Sequence, residues 1–166
     1  MSAIKLRLAM KTFSKLFFSV FICLSAGILG SYLTMDSVKT WYTELNRPSF
    51  TPPEWTFGIV WPILYVMMGV SAFLIWNKGL ESKQVKTALV LFTIHLILNI
   101  LWTPLFFGLH LVGTALIEII FLWAAILLTI IVFCKISKPA ALLLIPYILW
   151  VSFAVTLNAG FWILNR

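Results

Sequence analysis

Four long stretches almost free of charged residues dominate this 166-residue chain. They contain 20 residues after Lys15, 23 after Glu54, 48 after Lys86 with one acid inside, and 27 after Lys138. Since a helix needs roughly 20 apolar residues to cross a bilayer core, the stretches allow one, one, two and one span. With 62% hydrophobic and 10% charged residues, the chain also lies far outside the composition of soluble domains. The sequence predicts an all-α integral membrane protein, a bundle of five transmembrane helices.

The helix bounds follow from charges and helix-breaking residues. The 48-residue stretch must fold back once, and Gly108, His110 and Gly113 mark the place because they are weak helix formers near its middle. The second helix should begin just after the Pro52–Pro53 pair, since prolines are poor helix interiors. One membrane domain, 1–166, is predicted, with helices at roughly 14–34, 55–76, 87–107, 112–133 and 139–163 and with residues 35–54 as a cap over a pocket.

Basic residues divide unevenly between the two sides of these spans. Nine lie on the side of the N-terminus and three on the other, so the positive-inside rule predicts a cytoplasmic N-terminus and a C-terminus outside. This division accounts for the net charge of +7 without any nucleic-acid partner. A cleavable signal peptide is an alternative for the first stretch, but its 20 apolar residues exceed a usual signal-peptide core. We expect a bacterial inner-membrane protein, because the basic N-terminus is typical of such proteins.

Small residues recur in the first span. Ala26 and Gly30 stand four apart, as do Gly27 and Ser31, and such pairs let helix backbones approach closely. The contact could be with another helix of the same bundle or with a second subunit. We expect these four residues to form a homodimer interface.

Three spans each present a face of mixed aromatic and polar residues. Uncharged polar residues within a membrane normally point into the bundle, where they bind each other or a ligand. Aromatic walls with few hydrogen-bonding groups suit a large planar hydrophobic ligand. Glu118, the one acid within a predicted span, has an open role. The residues predicted to line a cavity are Trp61, Tyr65, His95, Asn99, Trp102, Trp150 and Asn158.

The loop before the second span is rich in aromatic residues and proline. Trp41, Tyr42, Phe50 and Trp55 need an apolar partner, which is the membrane interface, the bundle or a ligand. An aromatic belt at the membrane surface is the simplest alternative, whereas the neighbouring prolines favour a rigid cap.

The chain resembles the TspO/MBR family, which includes the tryptophan-rich sensory proteins of bacteria and the translocator protein, or peripheral benzodiazepine receptor, of mitochondria. The resemblance covers nearly the whole chain. It is carried, in order, by WYTELNRPSFTPPEW, FGIVWPILYVMMG, LNILWTPLFFG, ALIEIIFLWAAI and LLLIPYILWVSFAVTLNAGFWILN.

The resemblance implies a five-helix bundle, commonly dimeric, with a ligand pocket under the first loop. Family members bind porphyrins such as protoporphyrin IX, isoquinoline or benzodiazepine drugs and, in animal forms, sterols such as cholesterol. The family's pocket residues carry over to Trp41, Tyr42, Pro52, Trp61, Asn99, Trp102, Trp150 and Ala154. The chain departs from the family at His95, where many members have Gln. It also lacks the animal sterol motif, since Tyr147 is followed by no basic residue before Arg166.

The leading hypothesis is a membrane receptor or sensor that binds a porphyrin or another hydrophobic molecule and needs no obligatory cofactor. One alternative is light- and oxygen-dependent porphyrin degradation involving Trp61 and Trp150, and another is transport of porphyrin or sterol. No metal site or conventional catalytic group is predicted. For His95, a hydrogen bond to an Asn or to a porphyrin carboxylate is favoured over haem iron ligation.

Overall fold

The computed structural model describes residues 3–166, and they form a helical bundle without strands. Five stretches are long and apolar enough to cross a membrane, which confirms the predicted five-helix class. The third span is α4 with the π-helical segment that follows it, and the fifth is α6 with α7. The helices are α1 (Ala3–Lys39), α2 (Trp41–Glu44), α3 (Glu54–Trp76), α4 (Lys83–Thr103), the π-helical segment (Pro104–Gly108), α5 (Val112–Ile136), α6 (Lys138–Leu143) and α7 (Ile145–Leu164).

The first helix differs most from its prediction, 14–34. It has 37 residues and includes the first part of the predicted cap, because no proline interrupts the chain before Pro48. The short helix α2 follows after a turn at Thr40, and residues 45–53 are extended or turn. The cap is therefore residues 41–53 rather than 35–54. We call these residues the cap segment.

Close backbone contact holds α1 against α3. A Cβ added at Gly69 would lie 2.5 Å from the Cα of Val20, so a side chain at this position has no room. Further along α3, toward its C-terminal end, α6 packs against it, and the Ser71 hydroxyl donates a 2.7 Å hydrogen bond to the Ala140 carbonyl. Met68, Ile75 and their neighbours fill the core between these contacts.

The π-helical segment ends the third span. Pro104 has no N–H to donate, and the Leu109 N–H donates to the Pro104 carbonyl at 2.8 Å, five residues back. His110 then takes a left-handed backbone conformation with φ of 57°, and the chain turns within residues 109–111. This chain turn lies inside the predicted stretch from Gly108 to Gly113. The π-helical segment before it directs Phe106 into the core.

Candidate functional site

A cavity of about 700 Å³ lies among α1, α3, the end of the third span and α7, next to the cap segment. Its volume falls within the range of small-molecule sites, about 300–1,000 Å³. Neither α5 nor α6 contributes to its lining. The aromatic residues that line it are Tyr32, Tyr42, Phe57, Trp61, Tyr65, Trp102, Phe106, Phe107, Trp150 and Phe161.

Helical spacing explains how these rings converge. On α3, Phe57, Trp61 and Tyr65 recur every four residues, and the Trp61 and Tyr65 rings stack with centroids 5.5 Å apart. On α7, Trp150 and Ala154 recur in the same way, and the Trp150 ring contacts Phe57 of α3 edge-on with centroids 5.7 Å apart. The two walls are therefore largely flat and apolar.

Six of the ten predicted ligand-binding residues line this cavity, and Asn158, also predicted to line it, does as well. Both polar atoms of the Asn158 amide are hydrogen-bonded. Trp102 Nε1 donates to Asn158 Oδ1 at 3.0 Å, and Asn158 Nδ2 donates to the Val112 carbonyl at 2.9 Å. The six are Tyr42, Trp61, Tyr65, Trp102, Trp150 and Ala154. The other four, Trp41, Pro52, His95 and Asn99, are not part of the lining.

Asn99 lies just behind the cavity wall. Its Oδ1 accepts a 2.7 Å hydrogen bond from the Tyr65 hydroxyl, and its Nδ2 donates at 3.0 Å to the Tyr147 hydroxyl. The Asn99 side chain therefore connects three helices and positions the Tyr65 ring.

His95 is completely buried, one turn further from the cavity. Thr129 donates its hydroxyl proton to the Ala125 carbonyl at 2.8 Å, so it accepts from the His95 Nδ1, 3.1 Å away. The Nε2 atom has no hydrogen-bond partner within residues 3–166. The predicted partners were an Asn or a porphyrin carboxylate, whereas the partner found is a hydroxyl on α5. His95 in this arrangement is a structural residue.

The cap segment docks on the π-helical turn and on α7. Trp41 stacks on His110 with centroids 4.1 Å apart, which explains why it lies outside the cavity lining. Tyr42 packs against Phe161 at 5.3 Å. Burial raises the pKa of the Tyr42 phenol, an effect that Arg47 opposes and Glu54 reinforces. Tyr42 therefore presents a neutral ring to the cavity at neutral pH.

Two contacts fix the extended part of the cap segment. Asn165 Oδ1 accepts from the Asn46 N–H at 2.9 Å, and Asn165 Nδ2 donates to the Asn46 carbonyl at 3.0 Å. A Cβ at Gly160 would lie 2.6 Å from Pro48 Cγ, so the glycine lets the segment lie directly on α7. The end of the fifth span thus fastens the cap.

The small residues of α1 serve the bundle itself. A Cβ at Gly27 would collide with the Tyr65 ring, and one at Gly30 would lie 3.4 Å from Thr103 Oγ1. Ala26 is buried in the core and Ser31 lines the cavity. The close approach that Gly27 and Gly30 allow is therefore to α3 and to the third span of the same chain, whereas the dimer interface itself stays a prediction.

Several lining residues were missed from the sequence. Phe57 stands four residues before Trp61 and Phe161 three after Asn158, so helical periodicity could have found both. The sequence did not indicate Tyr32 or Lys39 as lining residues, because α1 was expected to contact a second subunit and to end before Lys39. Glu118 is buried outside the lining, and its carboxylate has no hydrogen-bond partner among the described residues.

A second cavity of about 550 Å³ lies at the other end of the bundle, between α3 and the α5–α6 junction. Its lining contains Lys78 and Lys138 but no aromatic side chain. Within the described residues no group of His, Cys, Asp and Glu could hold a metal ion. The aromatic cavity is therefore the candidate ligand site.

Comparison with known proteins gives one consistent match. The model of the TspO/MBR family matches residues 19–163. The chain is 43% identical to the tryptophan-rich protein TspO of Chlorobaculum tepidum over 82% of its length and 87% of that protein. It is 41% identical to the tryptophan-rich protein TspO of Archaeoglobus fulgidus, covering 91% of this chain and 97% of that protein. It is 40% identical to the human translocator protein, covering 81% and 80% of the two chains.

Proposed function

The chain belongs to the TspO/MBR family of membrane proteins, and from this premise we propose that it is a receptor or sensor that binds porphyrins or related planar hydrophobic molecules in the aromatic cavity. The observation that carries the proposal is the cavity itself, in which rings of α3 face rings of α7 under the cap segment. Flat apolar walls offer stacking surface to a macrocycle. Because only a few polar side chains lie between these walls, moving the macrocycle from the lipid into the cavity costs little free energy.

The test is titration of the purified chain, in detergent or nanodiscs, with metal-free protoporphyrin IX, read by quenching of tryptophan fluorescence. Trp61→Ala and Trp150→Ala should weaken binding, since each removes stacking worth about 1 kcal/mol beyond its buried area. Trp55→Ala is the matched control, because Trp55 is 68% exposed and lies outside the cavity lining. Equal affinity in all four proteins would contradict the proposal. The absorption spectrum of the protein as purified would show a co-purified tetrapyrrole directly.

A second candidate function is light-dependent porphyrin degradation with oxygen as the oxidant. It is favoured by the placement of Trp61 and Trp150, since both indoles line the cavity and would contact a bound photosensitiser. Illumination of the porphyrin complex in air separates the two functions. Turnover of many equivalents to one defined product supports an enzyme, whereas bleaching of a single equivalent together with tryptophan oxidation supports a binding protein.

We also propose the orientation that the basic residues indicate, with the N-terminus in the cytoplasm and the cap segment outside, in a bacterial inner membrane. A reporter active only in the cytoplasm should work when inserted between α3 and α4, and it should fail when fused after Arg166. A cytoplasmic C-terminus would contradict the five-span arrangement.

Homodimer formation remains part of the proposal, and because Gly27 and Gly30 already contact residues of the same chain, we expect it to use another surface. Cross-linking in membranes tests it. Self-association should survive Ser31→Leu, because the exposed Ser31 side chain lines the cavity. Chains that remain monomeric at all concentrations would exclude the dimer.

A further inference from the structure

One charge at the mouth of the aromatic cavity has no counter-ion. Lys39 and Glu54 are the charged side chains of the lining. Glu54 pairs with Arg47, whose Nη1 lies 3.2 Å from Glu54 Oε1. For Lys39, the described part of the chain offers no carboxylate oxygen within 4.0 Å, and Asp36, one turn earlier, is outside the lining. With the Arg47–Glu54 pair neutral, the mouth carries one net positive charge.

This charge lies at one end of the cavity. Lys39 is the last residue of α1, whereas Leu24, the first residue of α1 to line the cavity, is about 22 Å away at 1.5 Å per residue. Between them α1 contributes apolar side chains and the hydroxyls of Ser31, Tyr32 and Thr34. The cavity is thus an apolar slot with a cation at its rim.

We propose that Lys39 binds a carboxylate of the ligand, so that the cavity selects planar hydrophobic molecules with an acidic edge over their neutral analogues. This inference rests on the proposed function and names its ligand class, porphyrins with free carboxylates. An apolar body fills the slot while the acidic edge stays at the mouth, where the Lys39 ammonium reaches it. An unpaired carboxylate against apolar walls would be costly, whereas one that accepts a charge-assisted hydrogen bond is not.

The experiment compares metal-free protoporphyrin IX with its dimethyl ester, which keeps the macrocycle and removes both negative charges. Both are titrated into the full chain and into Lys39→Met in the same detergent, so that the change in affinity is measured separately for each ligand. The diacid should lose roughly three- to tenfold in affinity and the ester almost nothing. Lys39→Arg should restore most of the diacid affinity, and the difference should shrink at high salt because the contact is near the surface.

Lys78→Met serves as the control, since it removes a lysine from the opposite end of the bundle. An equal loss for diacid and ester in Lys39→Met would overturn the inference and assign Lys39 a purely structural role. Unchanged binding of both ligands in Lys39→Met would also overturn it while leaving the proposed function intact. If the unmodified chain binds neither ligand, the proposed function fails, and the role of Lys39 fails with it.

Discussion

The Tyr65 hydroxyl donates a 2.7 Å hydrogen bond to Asn99 Oδ1, and this bond fixes a cavity wall to the core behind it. Tyr65→Phe should lower the free energy of unfolding by about 1–2 kcal/mol, because the buried Asn99 oxygen loses its donor. The ring remains, so stacking against a ligand is kept. Denaturation in mixed micelles measures the change.

Tyr32→Phe is the control for this prediction. Tyr32 also borders the cavity, but it is 75% exposed, and its hydroxyl has no hydrogen bond in the described structure. An equal loss of stability in Tyr32→Phe and Tyr65→Phe would mean that the bond to Asn99 contributes nothing.

Gly69 should tolerate no side chain. Gly69→Ala places a Cβ 2.5 Å from the Val20 Cα, so α1 and α3 must separate, and overpacking of this kind costs about 1–3 kcal/mol. Gly58→Ala in the same helix has no atom within 4 Å of the new Cβ. It should be neutral or stabilising, since alanine is the better helix former. The prediction fails if both variants unfold at the same denaturant concentration.

Much of the fold follows from the sequence because the bilayer permits few solutions. The lengths of the apolar stretches determine the number of spans, and helical periodicity places Trp61 and Tyr65 on one face. Periodicity does not reveal how far a cavity extends along that face. Trp102, Asn99 and His95 share a face of α4, but only Trp102 reaches the cavity, because deeper in the bundle Tyr65 and Tyr147 close over Asn99.

The partner of a small-residue face is equally hidden in the sequence. Gly27 and Gly30 show that some helix approaches α1 closely, and the same spacing suits a neighbour in the bundle and a second subunit. In the structure Gly27 contacts Tyr65 and Gly30 contacts Thr103 of the same chain, and both partners are far from α1 in the sequence. The cap segment presents the same difficulty, since its attachment depends on Asn165, 119 residues away from Asn46.

Asn165 should control the rate of ligand release. Asn165→Ala removes both hydrogen bonds to the Asn46 backbone, so the cap segment should open more often and a bound porphyrin should dissociate about fivefold faster. Stopped-flow displacement measures the rate, and hydrogen exchange of the Asn46 amide measures the opening. Asn77→Ala, at the opposite end of the bundle, should change neither quantity. Unaltered exchange at Asn46 in Asn165→Ala would contradict the prediction.

His95 should be dispensable for ligand binding. Its imidazole donates to Thr129 on the far side of Asn99, and it lies outside the cavity lining, so it would not contact a porphyrin in the cavity. His95→Gln should therefore bind metal-free protoporphyrin IX as tightly as the unmodified chain. The glutamine amide can still donate to the Thr129 hydroxyl, so stability should change little.

The competing hypothesis makes His95 an iron ligand, and haem distinguishes the two. A bound haem should show the same Soret band in the unmodified chain and in His95→Gln if the imidazole is structural. His110 does not offer a second ligand from the cavity, since its ring stacks on Trp41 and is not part of the lining. His95→Ala should lower stability, because it leaves a void in the core and an unpaired Thr129 oxygen, while metal-free porphyrin still binds to the folded fraction. A Soret band that shifts in His95→Gln, together with no binding of the metal-free macrocycle to either protein, would show instead that the bundle opens to haem at His95.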